Sequence, residues 1–170
     1  MNRFTSSIRQ SIETKDWYGA LMTALTLPDI CGKLETPNVG SKARSVRWLK
    51  VWIEPLYTKQ IGADRQEHVF LSAEDCYSLR CSFLHEGVSN IEEQRARKAL
   101  EDFHFITPLP GMHIHCNQSG NALQLQVDVF CNEVADAVDK WAESVLSNEE
   151  VQHRMNSLIV IHDSSAGVRF

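Results

Sequence analysis

The sequence predicts a mainly α-helical, α+β protein: an up-and-down helical bundle with a small antiparallel β-meander inserted before the C-terminal helices. Three observations carry this. Apolar residues recur at helical spacing through about the first hundred positions. The pattern then switches to strict alternation between Phe103 and Val129, the period of strands. Helical spacing returns at Val134, Ala137, Val138, Trp141 and Val145. A chain of 170 residues with 43% hydrophobic content can build one ordinary core and is short for two. Residues 1–163 therefore read as one domain, with the strand region at about 102–130, and 164–170 as a flexible tail.

In order along the chain, Phe4, Ile8 and Ile12 mark a first helix over about 3–14. Asp16 caps a second, through Trp17, Ala20, Leu21, Ala24 and Leu25. Pro28 is expected to kink or restart it, which makes Asp29 either a local cap or a carboxylate aimed into a site. After the loop ETPNVG, Ser41 opens a helix to Tyr57 whose buried stripe is Val46, Leu49, Ile53 and Leu56. Trp48 and Trp52 lie beside that stripe, flanked by Arg44, Arg47 and Lys50. Such a pair is either a core feature rimmed by solvated cations or a surface that clamps phosphates and stacks bases.

Residues 58–71 form a polar connection long enough to be a mobile loop. A helix from Ser72 to Gly87 follows, with Ser72 as N-cap, Asp75 in the first turn and Gly87 as the C-terminal stop. IEEQRARKALEDF reads as a charged helix, opened by Asn90 and Glu93. The strands FHFIT, MHIHCN and ALQLQVDVF turn at PLPG and NQSGN. They bury Phe103, Phe105, Met112, Ile114, Leu123, Leu125, Val127 and Val129 on one face. His104, His113, His115, Gln124 and Gln126 share the other. His113 and His115 invite a metal reading, but Cys116 points to the opposite face and no fourth ligand has suitable spacing. A solvated strand face is the simpler reading. Ser147 with Glu150 forms a capping box for a last helix, and LIVIHD continues as helix or strand.

A net charge of −5 excludes a global basic field that recruits nucleic acid, so any RNA-directed role needs a local cluster of arginines. Five cysteines without CxxC pairs fit a reducing compartment. With no signal-like N-terminus and no apolar run of membrane-spanning length, the expectation is a soluble, cytoplasmic protein that does not engage a membrane.

Chemistry concentrates in SAEDCYSLRCSFLHEG. Cys76, Leu79, Phe83 and Leu84 form its apolar stripe, Arg80 lies at the edge, and His85 occupies the last turn. The Arg80 and His85 Cα atoms are about 7.5 Å apart along the axis and about 140° apart around it. They do not share a face. Arg80 is thus either a helix-edge arginine keeping its charge in water or a site residue, and His85 either a cation suited to a helix C-terminus or a proton-transfer group. A second spacing of this kind, Arg97-x6-His104, falls across a charged stretch and a strand instead.

The Arg80-x4-His85 helix resembles the R-x4-6-H signature of the HEPN domain family, helical nucleotide-binding or ribonuclease domains. Cys81 stands where that family often has a polar residue. The stretches LTLPDICGKLE, RSVRWLKVW and YSLRCSFLHEG also resemble a group of bacterial proteins of about this length. The HEPN resemblance covers about residues 1–100 plus the C-terminal helix and leaves the strands unaccounted for. It implies a HEPN-like bundle acting as a homodimeric, metal-independent endoribonuclease that needs no cofactor. Arg80 and His85 from two subunits would be the catalytic pair, with Ser78, Ser82, Asp29 and Arg47 as candidate substrate-binding groups. A defence or toxin role, with an antitoxin-like partner protein, is implied by the same resemblance. So is the alternative: a non-catalytic module of the same fold that binds nucleotide, RNA or a protein.

Overall fold

Helix α2 (Trp17–Glu35) is the element around which the others pack. Asp16 starts it by accepting a hydrogen bond from Gly19 N at 3.0 Å. The restart expected at Pro28 does not occur; the helix runs unbroken through it. An interior proline costs about 3 kcal/mol, but Leu25, Leu27, Pro28 and Cys31 are all buried. Burying a large apolar side chain is worth about 1.5–3 kcal/mol each, so packing overrides the local preference. α2 touches α1 (Asn2–Glu13), α3 (Ser41–Trp52), α4 (Ala73–Glu86), α5 (Val127–Ser144) and α6 (Glu149–Asn156). The consequence for Asp29 is decisive: it sits inside a helix and caps nothing.

The computed structural model describes residues 1–162 and 164–166. Within them, six helices and two small sheets make an α+β, mainly helical architecture. No helix among these residues is long and apolar enough to cross a membrane. Residue 163 and residues 167–170 of the expected tail lie outside the described residues.

α3 ends at Trp52, earlier than its apolar spacing implied, and a short 3-10 helix (Glu54–Tyr57) follows. Its buried face is Ser45, Trp48 and Leu49, whereas Leu56 is exposed. The expected polar loop is a hairpin, β1 (Thr58–Ile61) paired antiparallel with β2 (Gln66–Val69). Both strands are largely exposed, so no apolar alternation announced them.

The charged helix expected over 91–103 is absent. Asp75, buried at the start of α4, accepts backbone N–H bonds from Lys98 at 2.6 Å, Ala99 at 3.1 Å and Leu100 at 3.4 Å. Those amides point at a carboxylate, so they cannot join a helical ladder. Ile91 and Leu100 anchor this irregular segment in the core.

The meander is also corrected. β3 (Asp102–Ile106) pairs in parallel with β5 (Ala122–Gln126), and β4 (Asn117–Ser119) pairs antiparallel with β5, giving the order β3-β5-β4. Residues 107–116 form an irregular crossover, leaving Met112 exposed. Strand alternation in ALQLQVDVF ends at Gln126, and Val127 and Phe130 are buried as the first turn of α5. Val127 and Val129 continue the alternation of the strand in the sequence, which hides the change of element; the buried pair Val127 and Phe130, three apart, follows the helical period. α6 is capped by Asn148, whose Oδ1 accepts from Val151 N at 3.1 Å, in place of Ser147. Residues 158–162 adopt neither helix nor strand.

Candidate functional site

α4 forms where the sequence places it, and both ends follow local chemistry. Ser72 Oγ accepts from Asp75 N at 3.1 Å. Gly87 closes the helix at φ 73°, a conformation that glycine adopts without strain. Cys76 and Leu79 bury against the neighbouring helices. Arg80 follows on the same side, with 19% of its side chain exposed.

Arg80 points toward Asp29 of α2. Its Nη2 lies 3.8 Å from Asp29 Oδ2, and Nη1 reaches Cys81 Sγ at 4.0 Å. Its Nε is buried without a hydrogen-bond partner among the described residues. Asp29 is the hub. Arg44 donates from Nε at 2.7 Å and from Nη2 at 3.1 Å in a forked pair. Ser41 and Ser45 add bonds of 2.9 Å and 3.0 Å to Oδ1. Burial opposes ionisation of Asp29, but the bonds from Arg44, Ser41 and Ser45 and the Arg44 charge outweigh it, holding the carboxyl below its ordinary value.

Close backbone approach makes this possible. A Cβ on Gly32 would lie 2.7 Å from the Arg44 carbonyl oxygen, so only glycine lets α3 come near enough to set Arg44 over Asp29 one turn earlier on α2. Beside the cluster, burial and the adjacent Cys81 sulfur push the Tyr77 phenol up, against the opposing influence of Arg80 and Ser41. The space among Asp29, Ser45, Tyr77 and Arg80 is about 10 Å³. That is no larger than a single water needs, so a substrate must meet Arg80 at its exposed edge.

The other sequence-derived candidates separate. His85 is exposed in the last turn of α4, with no side-chain hydrogen bond or ion pair among the described residues. Ser78 and Ser82 are buried, and their hydroxyls donate to the carbonyl oxygens of Glu74 and Asn90, both at 2.9 Å. Arg47 is exposed on α3, on the side away from the buried Ser45 and Leu49. Trp48 and Trp52 stack with ring centroids 6.3 Å apart, the first fully buried and the second half-buried. Arg97 and His104 lie on the irregular segment and on β3, where each has its own acidic neighbour, Glu101 and Asp102.

Sequence reasoning missed two groupings. Arg44 was read only as a flank of the tryptophans; Ser41, Arg44 and Ser45 at helical spacing were the available signal. The second is a polar cluster around His115, which is not on a solvated strand face: 8% of its side chain is exposed. Its Nδ1 accepts from Gln126 N at 3.2 Å, which puts the neutral ring's proton on Nε2, 3.3 Å from Glu133 Oε2. Nε2 makes no well-aligned bond there. Tyr57 donates to the same Glu133 oxygen at 2.5 Å, and burial followed by the Glu133 charge pushes its phenol well up. Among the described residues no three His, Cys, Asp or Glu side chains are grouped to hold a metal ion.

A shallow groove of about 480 Å³ lies where the N-terminal end of α2, the C-terminal end of α4 and β3 meet, lined chiefly by Tyr18, Leu79, Phe83, Phe103 and Phe105. Compared with family models, curated proteins and solved structures, the chain matches none.

Proposed function

We propose that the chain is a HEPN-type endoribonuclease that works as a homodimer, with the α4 helices of two copies meeting across a two-fold axis. The observation that carries this reading is the environment of Arg80. Asp29 already accepts four hydrogen bonds from Arg44, Ser41 and Ser45. Its contact with Arg80 at 3.8 Å is beyond hydrogen-bond range. Arg80 thus keeps donors and charge for an incoming phosphate while its stem is held in place. His85 stands on the same helix, exposed and without a side-chain hydrogen bond or ion pair among the described residues.

In this reading a ribose 2′-OH attacks the adjacent phosphodiester. His85 takes the 2′-OH proton, and the 5′ oxygen leaves with a proton supplied by the partner copy's imidazole. Arg80 holds the phosphoryl oxygens as negative charge gathers on them, a task suited to a planar forked cation. Neither a metal ion nor a cofactor takes part. A defence or toxin role, restrained by an antitoxin-like protein, belongs to the same proposal. The mechanism requires the 2′-OH. An RNA carrying a single 2′-deoxy nucleotide at its cleavage position must resist cutting there, and DNA of the same sequence must remain whole. Cutting of either substrate at that position would sink the mechanism.

A second reading has its own observation. Arg80 faces Asp29 and touches Cys81, an arrangement that also suits a non-catalytic module in which the guanidinium fixes the α2–α4 contact. Binding of RNA or nucleotide by protein that cuts nothing would favour it.

A further inference from the structure

We infer that the outer face of α3 is a docking track for a single-stranded RNA backbone. The inference rests on the proposed function for the choice of RNA as occupant, but its own observations are separate. α3 carries Lys42, Arg44, Arg47 and Lys50 and no carboxylate, on a chain whose net charge is −5. Arg44 is turned inward and neutralised by Asp29. Lys42, Arg47 and Lys50 are exposed, with no hydrogen bond or ion pair to any side chain among the described residues.

Their placement follows from helix geometry. At about 100° per residue the three fall within an arc of about 140°, opposite the buried Trp48, and span about 12 Å of helix axis. A solvated surface helix ordinarily sets carboxylates one turn from its cations. Here the neighbours at that spacing are Asn38, Ala43, Val46, Val51 and Glu54. Glu54 is the one acid among them, and its carboxylate is committed elsewhere, accepting from Ala73 N at 2.8 Å at the start of α4. The positive face is therefore uncompensated within its own element. Exposed Ala43 lies between the cations, and exposed Val51 flanks Arg47 one turn on. Cations interleaved with apolar surface suit a polynucleotide strand, whose phosphates take the charges while sugars and bases rest on the apolar parts. Ser41 and Ser45 bond to Asp29, beside Arg80, from the other side of α3, so a strand on this face lies across the helix from the candidate site.

The test uses the full chain and a short 2′-O-methyl oligouridylate, which cannot be cut by 2′-OH attack. Binding is followed by fluorescence anisotropy between about 50 and 200 mM salt, where each phosphate contact to a single strand contributes about −0.7 to the slope of log K against log salt. The wild type is expected to bind with a clear salt dependence. A triple variant, Lys42→Gln with Arg47→Gln and Lys50→Gln, should show a slope shallower by about 2. A pair of substitutions away from α3, Arg95→Gln with Lys140→Gln, should leave the wild-type slope unchanged. An unchanged slope in the triple variant, an equal change in the distant pair, or no binding by the wild type would each overturn the track. So would binding of phosphatidylserine vesicles, but not the oligonucleotide, through the three α3 cations. Slope loss confined to the α3 variant supports the track even where the wild type cuts no RNA, so failure of the nuclease proposal is read separately.

Discussion

Arg80 on α4 and Asp29 on α2 stand 3.8 Å apart, and the carboxylate that faces Arg80 is already forked to Arg44 at 2.7 Å. Two arginines thus converge on one carboxylate, and the nearer holds it more firmly. Replacing the carboxylate should loosen both. Asp29→Asn is expected to cost about 2 kcal/mol, since hydrogen bonds to charged groups contribute about 1.5–3 kcal/mol each and the amide retains part of the set. The pH dependence has a definite sign. The Asp29 carboxyl is held below its ordinary value in the folded state. Its contribution is therefore fully present above about pH 3.9, the unfolded value, and is lost as pH falls through the lower folded value. Thermal melts of both proteins from neutral to strongly acidic pH should show a gap that closes only at the acid end. A gap independent of pH would assign the effect to packing.

Gly32 determines how closely α3 approaches α2. A methyl group there would press on backbone, the Arg44 carbonyl at 2.7 Å, which cannot swing away as a side-chain tip can. Gly32→Ala is expected to destabilise by about 1–3 kcal/mol, despite the better helix propensity of alanine. A melting temperature equal to or above wild type would show that α3 has room to move.

Asp75 ties the irregular segment over residues 91–101 to the first turn of α4 through three backbone amides. Asp75→Asn removes the charge from a buried acceptor and aims an amide donor at other donors, with an expected cost of about 2–3 kcal/mol. Amide exchange at Lys98, Ala99 and Leu100 should quicken far more than exchange in α5. Uniform acceleration across the protein would mean that the segment does not open on its own.

Burial also orders the thiols. It pushes Cys31 well up and holds Cys76 and Cys131 at about 12, while Cys116, less deeply placed, is raised to about 11. The thiolate is the reactive form, so a disulfide reagent near neutral pH should label half-exposed Cys81 first and Cys116 slowly. Cys31, Cys76 and Cys131 should react only on unfolding. Rapid labelling of Cys31 would contradict an unbroken, buried α2.

Much of the helical frame was readable because caps and periodicity act locally. Ser72 and Gly87 bound α4 as expected, and Asp16 starts α2. Errors arose where distant contacts decided the outcome. Pro28 is tolerated because α2 is packed on many sides. The amides of 98–100 are drawn from a helix by Asp75, more than twenty residues earlier in the chain. Parallel pairing of β3 with β5 depends on the path of residues 107–116, which turn residues alone do not determine. At the site, Arg80 and His85 were visible as a spacing on one helix. The convergence of Arg80, Asp29 and Arg44 was not, because it requires the α2–α3 turn and the close approach at Gly32.

RNA cleavage itself is the measurement to make first: total cellular RNA in EDTA, with the wild type beside His85→Ala and Arg80→Ala, each verified as folded. His85→Ala should keep its stability, because an exposed imidazole at a helix end contributes only about 0.3–1 kcal/mol. The expected result is cutting by the wild type alone, leaving 2′,3′-cyclic phosphate ends. Cutting by folded His85→Ala at the wild-type rate would contradict the assignment of the α4 site.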